Sequence, residues 1–238
     1  MLILENVTCG YAEGIDILLN VSLEIKEGII TGMIGPNGAG KSTILKAIFA
    51  LIHPRQGRIL FEGREIHDAF PHQLKWMGMS YVTQGFSTFP QLTVEDNLLV
   101  GAWVFRKEKK LLHQRLNEVY EFFPMLRENR RNKANVLSGG LLRMLSLGKE
   151  LITRPKLLLL DEPSEGVAPM IVEEIYLLVQ KMKKQGMTIF LVDQNILKAL
   201  EVSNYMYLLE MGQIKQKGSK EEFETNIRDI IRDSLMSR

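Results

Sequence analysis

The stretch Gly35-Pro36-Asn37-Gly38-Ala39-Gly40-Lys41-Ser42-Thr43 limits what this chain can fold into more than any other. It fits G-x-x-x-x-G-K-[ST], the pattern of a loop that cradles phosphate. Its flanks supply the necessary context. Ile29, Ile30, Met33 and Ile34 ahead of it read as a short buried strand. Ile44, Leu45, Ile48 and Phe49 behind it recur at helical spacing. Glycines let successive backbone N–H groups turn inward toward phosphate oxygens. The helix that follows adds its dipole and its unpaired donors. Lys41 is then placed to reach the β- and γ-phosphates of a nucleotide. Ser42 is placed to set its hydroxyl on Mg²⁺, a hard cation that takes oxygen ligands and keeps water. Lys41 is expected to be exposed.

The rest of the composition narrows the class. A length of 238 residues suits one large domain, or one and a half, with a sizeable core. A hydrophobic share of 45% with 24% charged residues is that of a soluble globular protein. The net charge of +2 argues against a dedicated nucleic-acid binder, which carries a basic excess. One cysteine, Cys9, excludes a disulfide framework and fits a reducing compartment. The opening Met1-Leu2-Ile3-Leu4-Glu5 lacks the basic start and cleavage site of a signal peptide. The apolar run Leu157–Leu160 is far too short to span a bilayer. A membrane role would therefore be peripheral or held by a partner. With no internal repeat and one phosphate loop, one nucleotide site is expected.

Residues 2–8, the alternating Val21, Leu23 and Ile25, and the segment 57–61 read as strands of an antiparallel layer beside the loop strand. Tyr11 falls in the loop after the first strand, where an aromatic ring can stack on a purine. Residues 78–83 read as a strand ending at Gln84, followed by a loop with Phe86 and Phe89. From Thr93 the texture becomes helical. Thr93-Val94-Glu95-Asp96 resembles a capping box, and 108–123 is amphipathic. Arg127 to Lys133 reads as a solvated connection. Ser138 is a good N-cap for a helix running to Arg154-Pro155. Leu157–Leu160 reads as a central strand buried on both faces, tipped by Asp161 and Glu162. Ligands of open parallel sheets bind at that edge, so two adjacent acids there point to function. A helix over 170–184, a strand over 188–192 ending at Asp193-Gln194-Asn195, and a helix over 196–202 follow. A hairpin turns at Met211-Gly212, a capping box at Ser219–Glu222 opens a last helix, and the polar tail is expected to be loosely held.

The reading is an α/β fold: a P-loop nucleotide-binding core with a mostly parallel central sheet, an N-terminal antiparallel β layer and an inserted α-helical subdomain. All 238 residues are expected to form one domain, which the resemblance given next implies to be an ATPase. Residues 1–92 and 151–238 make the core with its β layer, and 93–150 make the helical part.

Four pieces stand in order: the phosphate loop, Gln84 at a strand end, Leu137-Ser138-Gly139-Gly140, and the Leu run with Asp161-Glu162. Together they resemble the ATP-binding subunit of ABC transporters over essentially the whole chain. Phe122-Phe123-Pro124-Met125-Leu126, Leu160-Asp161-Glu162-Pro163-Ser164, Ala168-Pro169 and Leu191-Val192-Asp193-Gln194-Asn195 look like the subunits of branched-chain amino-acid importers. Related amide and urea importers share that pattern.

The resemblance implies roles. Gly35 to Thr43 bind ATP, with Lys41 on the phosphates. Tyr11 stacks on adenine. Ser42, Gln84 and Asp161 serve Mg²⁺. Gln84 also senses the γ-phosphate. Glu162 orients or deprotonates the attacking water, with Gln194 at the switch position. Ser138, Gly139 and Gly140 contact the γ-phosphate of ATP bound to an opposite subunit, so that two subunits sandwich two ATPs head to tail. The implied partners are a second ATPase subunit (a different chain, with a homodimer as the alternative), membrane permease subunits touching the loop Gln84–Pro90, and indirectly an external solute-binding protein. Nucleic acid is not among them. The implied place is the cytoplasmic face of the membrane.

Departures from the family pattern also matter. Leu141, followed by Leu142 and Arg143, stands where Gln or Glu is usual after the signature glycines. Gln194 stands where many members carry His, although the importer subgroup tends to have Gln there. A Gln amide donates to phosphate but carries no charge. Glu165 occupies a position that is usually apolar in that subgroup. Two other readings stay open: an ABC-type ATPase acting on nucleic acid or the ribosome, and an ATP-binding subunit with weak catalysis that mainly holds a complex together. The long coiled-coil insertions or paired ATPase units usual in the former are not seen.

Overall fold

A computed structural model describes residues 1–12 and 14–225. The chain lays down β1 (Leu2–Cys9), β2 (Leu18–Ile25), β3 (Ile30–Ile34), α1 (Lys41–Ile48), β4 (Gln56–Phe61), β5 (Arg64–Glu65), α2 (Pro71–Trp76) and β6 (Met79–Val82). Helices α3 (Val94–Gly101), α4 (Lys109–Phe122), α5 (Pro124–Glu128) and α6 (Gly139–Leu151) come next. Then follow β7 (Leu157–Asp161), α7 (Pro169–Lys184), β8 (Thr188–Val192), α8 (Ile196–Val202), β9 (Tyr205–Glu210) and β10 (Gln213–Ser219).

The strands form two sheets. One has four antiparallel strands in the order β2-β1-β4-β5. The other has six strands in the order β10-β9-β3-β8-β7-β6, parallel throughout except for the β9–β10 hairpin. The expected α/β class, with its antiparallel layer and its helical stretch between β6 and β7, is the one observed. β7 lies inside the large sheet with every residue buried, which is why it reads as an unbroken Leu run. Its side chains alternate between two cores. Leu158 and Leu160 join the helices on one face; Leu157 and Leu159 pack with the antiparallel sheet and α1 on the other.

Two helices escape the sequence reading. α2 is only six residues long and α5 only five, each opened by a proline in its first turn. Neither is long enough to show a helical period. Elsewhere local chemistry works as expected. Thr93 caps α3 by accepting the Asp96 N–H at 3.0 Å, and Ser138 caps α6 by accepting that of Leu141 at 3.4 Å. Ser219 and Glu222 form the reciprocal pair of a capping box, at 2.7 and 3.4 Å, and open a helical turn at 220–225. The polar tail from residue 226 lies outside the described residues. Cys9 is buried in β1, where loss of water pushes its thiol up to about 11.

Candidate active site

The loop from Gly35 to Gly40 joins the C-terminal end of β3 to the start of α1. Two of its glycines are sterically required. A Cβ on Gly35 would lie 2.1 Å from the Leu209 carbonyl oxygen, and Gly40 holds φ at +104° immediately before the helix. The amides of Lys41, Ser42 and Thr43 occupy the first turn of α1, where no intrahelical carbonyl serves them. They form the floor of a cavity of about 420 Å³ lined by Tyr11, Lys41, Ser42, Gln84, Glu162 and Gln194, among others.

Lys41 is not exposed: only 5% of it is accessible. Its ammonium donates to the carbonyls of Gly35 at 2.9 Å and Pro36 at 3.2 Å, and lies 3.6 Å from the Glu162 carboxylate. The expectation of exposure fails because a long side chain in a concave loop folds onto the loop's own carbonyls. Tyr11 remains exposed, yet it is tethered. Its hydroxyl lies 3.3 Å from Thr43 Oγ1 and accepts from Lys46 Nζ at 3.1 Å.

The two acids at the tip of β7 have different surroundings. Asp161 is buried; Oδ1 accepts from Ser42 Oγ at 2.9 Å and Oδ2 from the Tyr81 hydroxyl at 2.8 Å. Glu162 is buried too, with φ at +46°, a left-handed conformation uncommon for this residue type. Such outliers cluster at functional sites. Both glutamine amides converge on one oxygen of Glu162, Oε2: Gln194 at 2.6 Å and Gln84 at 3.2 Å. Desolvation holds both carboxyls above their ordinary range, opposed at Asp161 by Tyr81 and Ser42 and at Glu162 by Gln194 and Lys41.

The donor set suits a nucleoside triphosphate with a hard cation. A glycine loop, a helix N-terminus and a buried ammonium face one cavity. Ser42 and Asp161 offer two oxygens to a cation such as Mg²⁺ and leave its other positions to phosphate and water. The structure thus brings Tyr11, Asn37, Gly38, Gly40, Lys41, Ser42, Thr43, Gln84, Glu162 and Gln194 to one cavity, with Asp161 immediately behind it. Gly35, Pro36 and Ala39 shape the loop without lining that cavity. Ser138, Gly139 and Gly140 do not line it either; Ser138 and Gly139 are exposed at the start of α6, while Gly140 is buried against Ile171.

Several residues that support the site carry no role in the sequence reading. Tyr81 supports Asp161 from the neighbouring strand. Asp193, buried, accepts from the Tyr176 hydroxyl at 2.5 Å, from Ser164 Oγ at 3.2 Å and from the Asn195 N–H at 2.9 Å. It therefore ties the segment after Glu162 to the turn that carries Gln194. A tyrosine inside a short buried strand is a signal that a polar partner lies at depth, and Tyr81 could have been found that way. Tyr176 and Ser164 offer no comparable local signal.

Comparison with known proteins follows the same lines. The family model described as "ABC transporter" matches residues 18–165. A high-affinity branched-chain amino acid transport ATP-binding protein, BraG, of Pseudomonas aeruginosa is 36% identical over 99% of both chains. A nucleotide-free ATP-binding cassette from an ABC transporter superposes with a TM-score of 0.86 at 29% identity, covering 96% of this chain and 95% of that one. A dimeric ATP-binding cassette in a post-hydrolysis state with ADP and Pi gives 0.81 at 27%, covering 92% and 99%.

Proposed function

The chain belongs to the ABC transporter family as an ATP-binding subunit in which ATP hydrolysis is coupled to transport, and from that premise we propose that it drives uptake of branched-chain amino acids through separate membrane subunits. The observation that carries the substrate class is similarity running end to end with BraG. The Leu191-Val192-Asp193-Gln194-Asn195 segment supports it.

ATP sits on the loop Gly35–Thr43, with its adenine against Tyr11. Lys41 leaves the carbonyls of Gly35 and Pro36 for the β- and γ-phosphates. Ser42, Asp161 and Gln84 would hold Mg²⁺, which would supply positive charge against that developing on the transferred phosphoryl group. Glu162 aims a water at the γ-phosphorus, and its raised proton affinity makes it a better base. Gln84 and Gln194, sharing Oε2, set the direction of that carboxylate while Oε1 remains on the Lys41 side. Ser138 and the two glycines address ATP held by a second subunit, so that ATP closes a dimer and hydrolysis with release opens it. Residues 93–150 act as the helical subdomain that carries this signature.

Among the described residues no helix is long and apolar enough to cross a membrane. The subunit is held at the cytoplasmic face by its permease partners, through the loop Gln84–Pro90, where Phe86 and Phe89 are exposed. Its ATPase partner is a different chain. Leu141 at the signature and Gln194 at the switch make the two composite sites unequal, which Glu162→Gln placed in one subunit at a time tests; equal losses from either placement count against it.

The deciding experiment is co-purification with the membrane subunits, followed by uptake of labelled leucine, isoleucine and valine into vesicles. ATP-dependent uptake of at least one is expected. Failure with all three, alongside uptake of another solute, overturns the substrate class and leaves the ATPase in place.

A further inference from the structure

Helix α6 does more than present Ser138 at its start. Arg143, Ser146 and Lys149, spaced at i, i+3 and i+6, lie along one face of it. All three take hold of the backbone of the loop 83–87. Arg143 Nη1 donates to the Gly85 carbonyl at 2.7 Å and to that of Thr83 at 3.4 Å. Ser146 Oγ accepts the Ser87 N–H at 3.2 Å, and the Lys149 ammonium donates to the Ser87 carbonyl.

Arg143 reaches further than the other two. Its Nη2 donates to the Glu165 carbonyl at 3.2 Å. The Glu165 N–H in turn donates to the Glu162 carbonyl at 3.1 Å. One guanidinium therefore holds the carbonyls on both sides of Gln84 and the turn that leaves Glu162. Those two side chains meet at Glu162 Oε2.

The chemistry singles this residue out. Arg143 is among the largest fully buried side chains, and among the described residues it has no carboxylate partner within ion-pair distance. Burial lowers its proton affinity. The carboxylates of Glu165, Asp193 and Asp161 act on it only from beyond contact; a charge out of water with no carboxylate in contact is costly, and an apolar chain of the same volume would fill the space without that cost. What only arginine supplies is a rigid planar fork of donors that reaches three carbonyls at once. Phe86, 5.4 Å from the guanidinium carbon, lies over the fork.

We propose that Arg143 is a positioning residue for hydrolysis: it clamps the backbone around Gln84 and the turn after Glu162 onto α6, and so sets the angle at which the Gln84 amide meets the Glu162 carboxylate. The proposal rests on the roles given to Gln84 and Glu162 above. Because α6 also begins at Ser138, the clamp makes this pair move with the signature end of the same helix.

The test is ATP turnover and nucleotide affinity of the assembled pair of ATPase subunits carrying Arg143→Met, Arg143→Lys, Gln84→Ala or Arg143→Met with Gln84→Ala, with Glu162→Gln in parallel. Arg143→Met is expected to lower kcat about 10- to 100-fold, as loss of a positioning contact does, while KM and the Kd for ATP stay within about threefold. Arg143→Lys, with a cation but no fork, recovers only part of the loss. The double variant is expected to be no slower than the worse single one, because Arg143 acts through Gln84. Additive losses, an unchanged kcat, or a change in Kd as large as the fall in kcat overturn the proposal. Where Arg143→Met does not fold, Arg143→Lys and its double with Gln84→Ala carry the same comparison. Full turnover in Glu162→Gln refutes instead the roles assigned to the site, independently of Arg143.

Discussion

Replacing Glu162 by Gln separates the chemistry of this site from its architecture. The side chain keeps its size, and Oε1 of the new amide can accept from both Gln84 and Gln194 where Oε2 does now, at 3.2 and 2.6 Å. What is lost is the negative charge, 3.6 Å from Lys41, and the ability to take a proton. Loss of a positioned general base costs about 10²- to 10⁴-fold in rate, or roughly 3 to 5.5 kcal/mol of transition-state stabilisation. ATP affinity should change far less, since the loop and Lys41 are untouched. Stability supplies an independent check. Desolvation raises the Glu162 pKa above its ordinary 4.5, with Gln194 and Lys41 opposing. The folded state therefore holds the proton more tightly than the unfolded state. Between pH 4.5 and the raised value, the contribution of Glu162 to stability falls as pH rises, by at most about 1.4 kcal/mol for each pH unit crossed. It is level above that window. The Glu162→Gln protein lacks this fall. Urea denaturation of both proteins across pH 4 to 8 should therefore show the variant gaining on the parent through the window and holding its advantage above it. A turnover loss below about tenfold, or a relative stability that moves the other way with pH, would refute the reasoning.

Two further substitutions probe the nucleotide cradle. Lys41→Ala should abolish measurable ATP binding. Because Lys41 is buried on two loop carbonyls, the change should also cost stability, about 1–3 kcal/mol for stranded acceptors; denaturant midpoints that match the parent's would show those bonds to be immaterial. Tyr11→Ala should weaken ATP binding by about 1–3 kcal/mol, the worth of a base stacked on an aromatic ring. Binding of tripolyphosphate, which has no base, should be unchanged, and an equal loss for both ligands would remove the stacking role.

The sequence by itself determined the parts of this protein whose physics is local. Gly35 to Thr43 is legible because a phosphate cradle needs its glycines, lysine and hydroxyl within one turn of chain. β7 is legible because a strand buried on both faces must be apolar throughout, which makes Asp161 and Glu162 conspicuous at its end. The caps at Thr93, Ser138 and Ser219 are legible for the same reason: donor and acceptor lie three residues apart. Helices α2 and α5 were missed because six and five residues hold too little periodicity.

Tertiary structure alone decided which distant residues share an atom. Gln84 and Gln194 meet on one oxygen of Glu162, from the ends of β6 and β8 on either side of β7. Lys41 lies buried on its own loop because the concave path of the backbone turns two carbonyls toward it. Arg143 follows the signature glycines as one polar residue among leucines, and its neighbours in sequence give no hint of where its fork points. Its partners at Thr83, Gly85 and Glu165 come from two other loops. They lie within reach only because α6 packs across β6, at a distance in space that no spacing along the chain encodes.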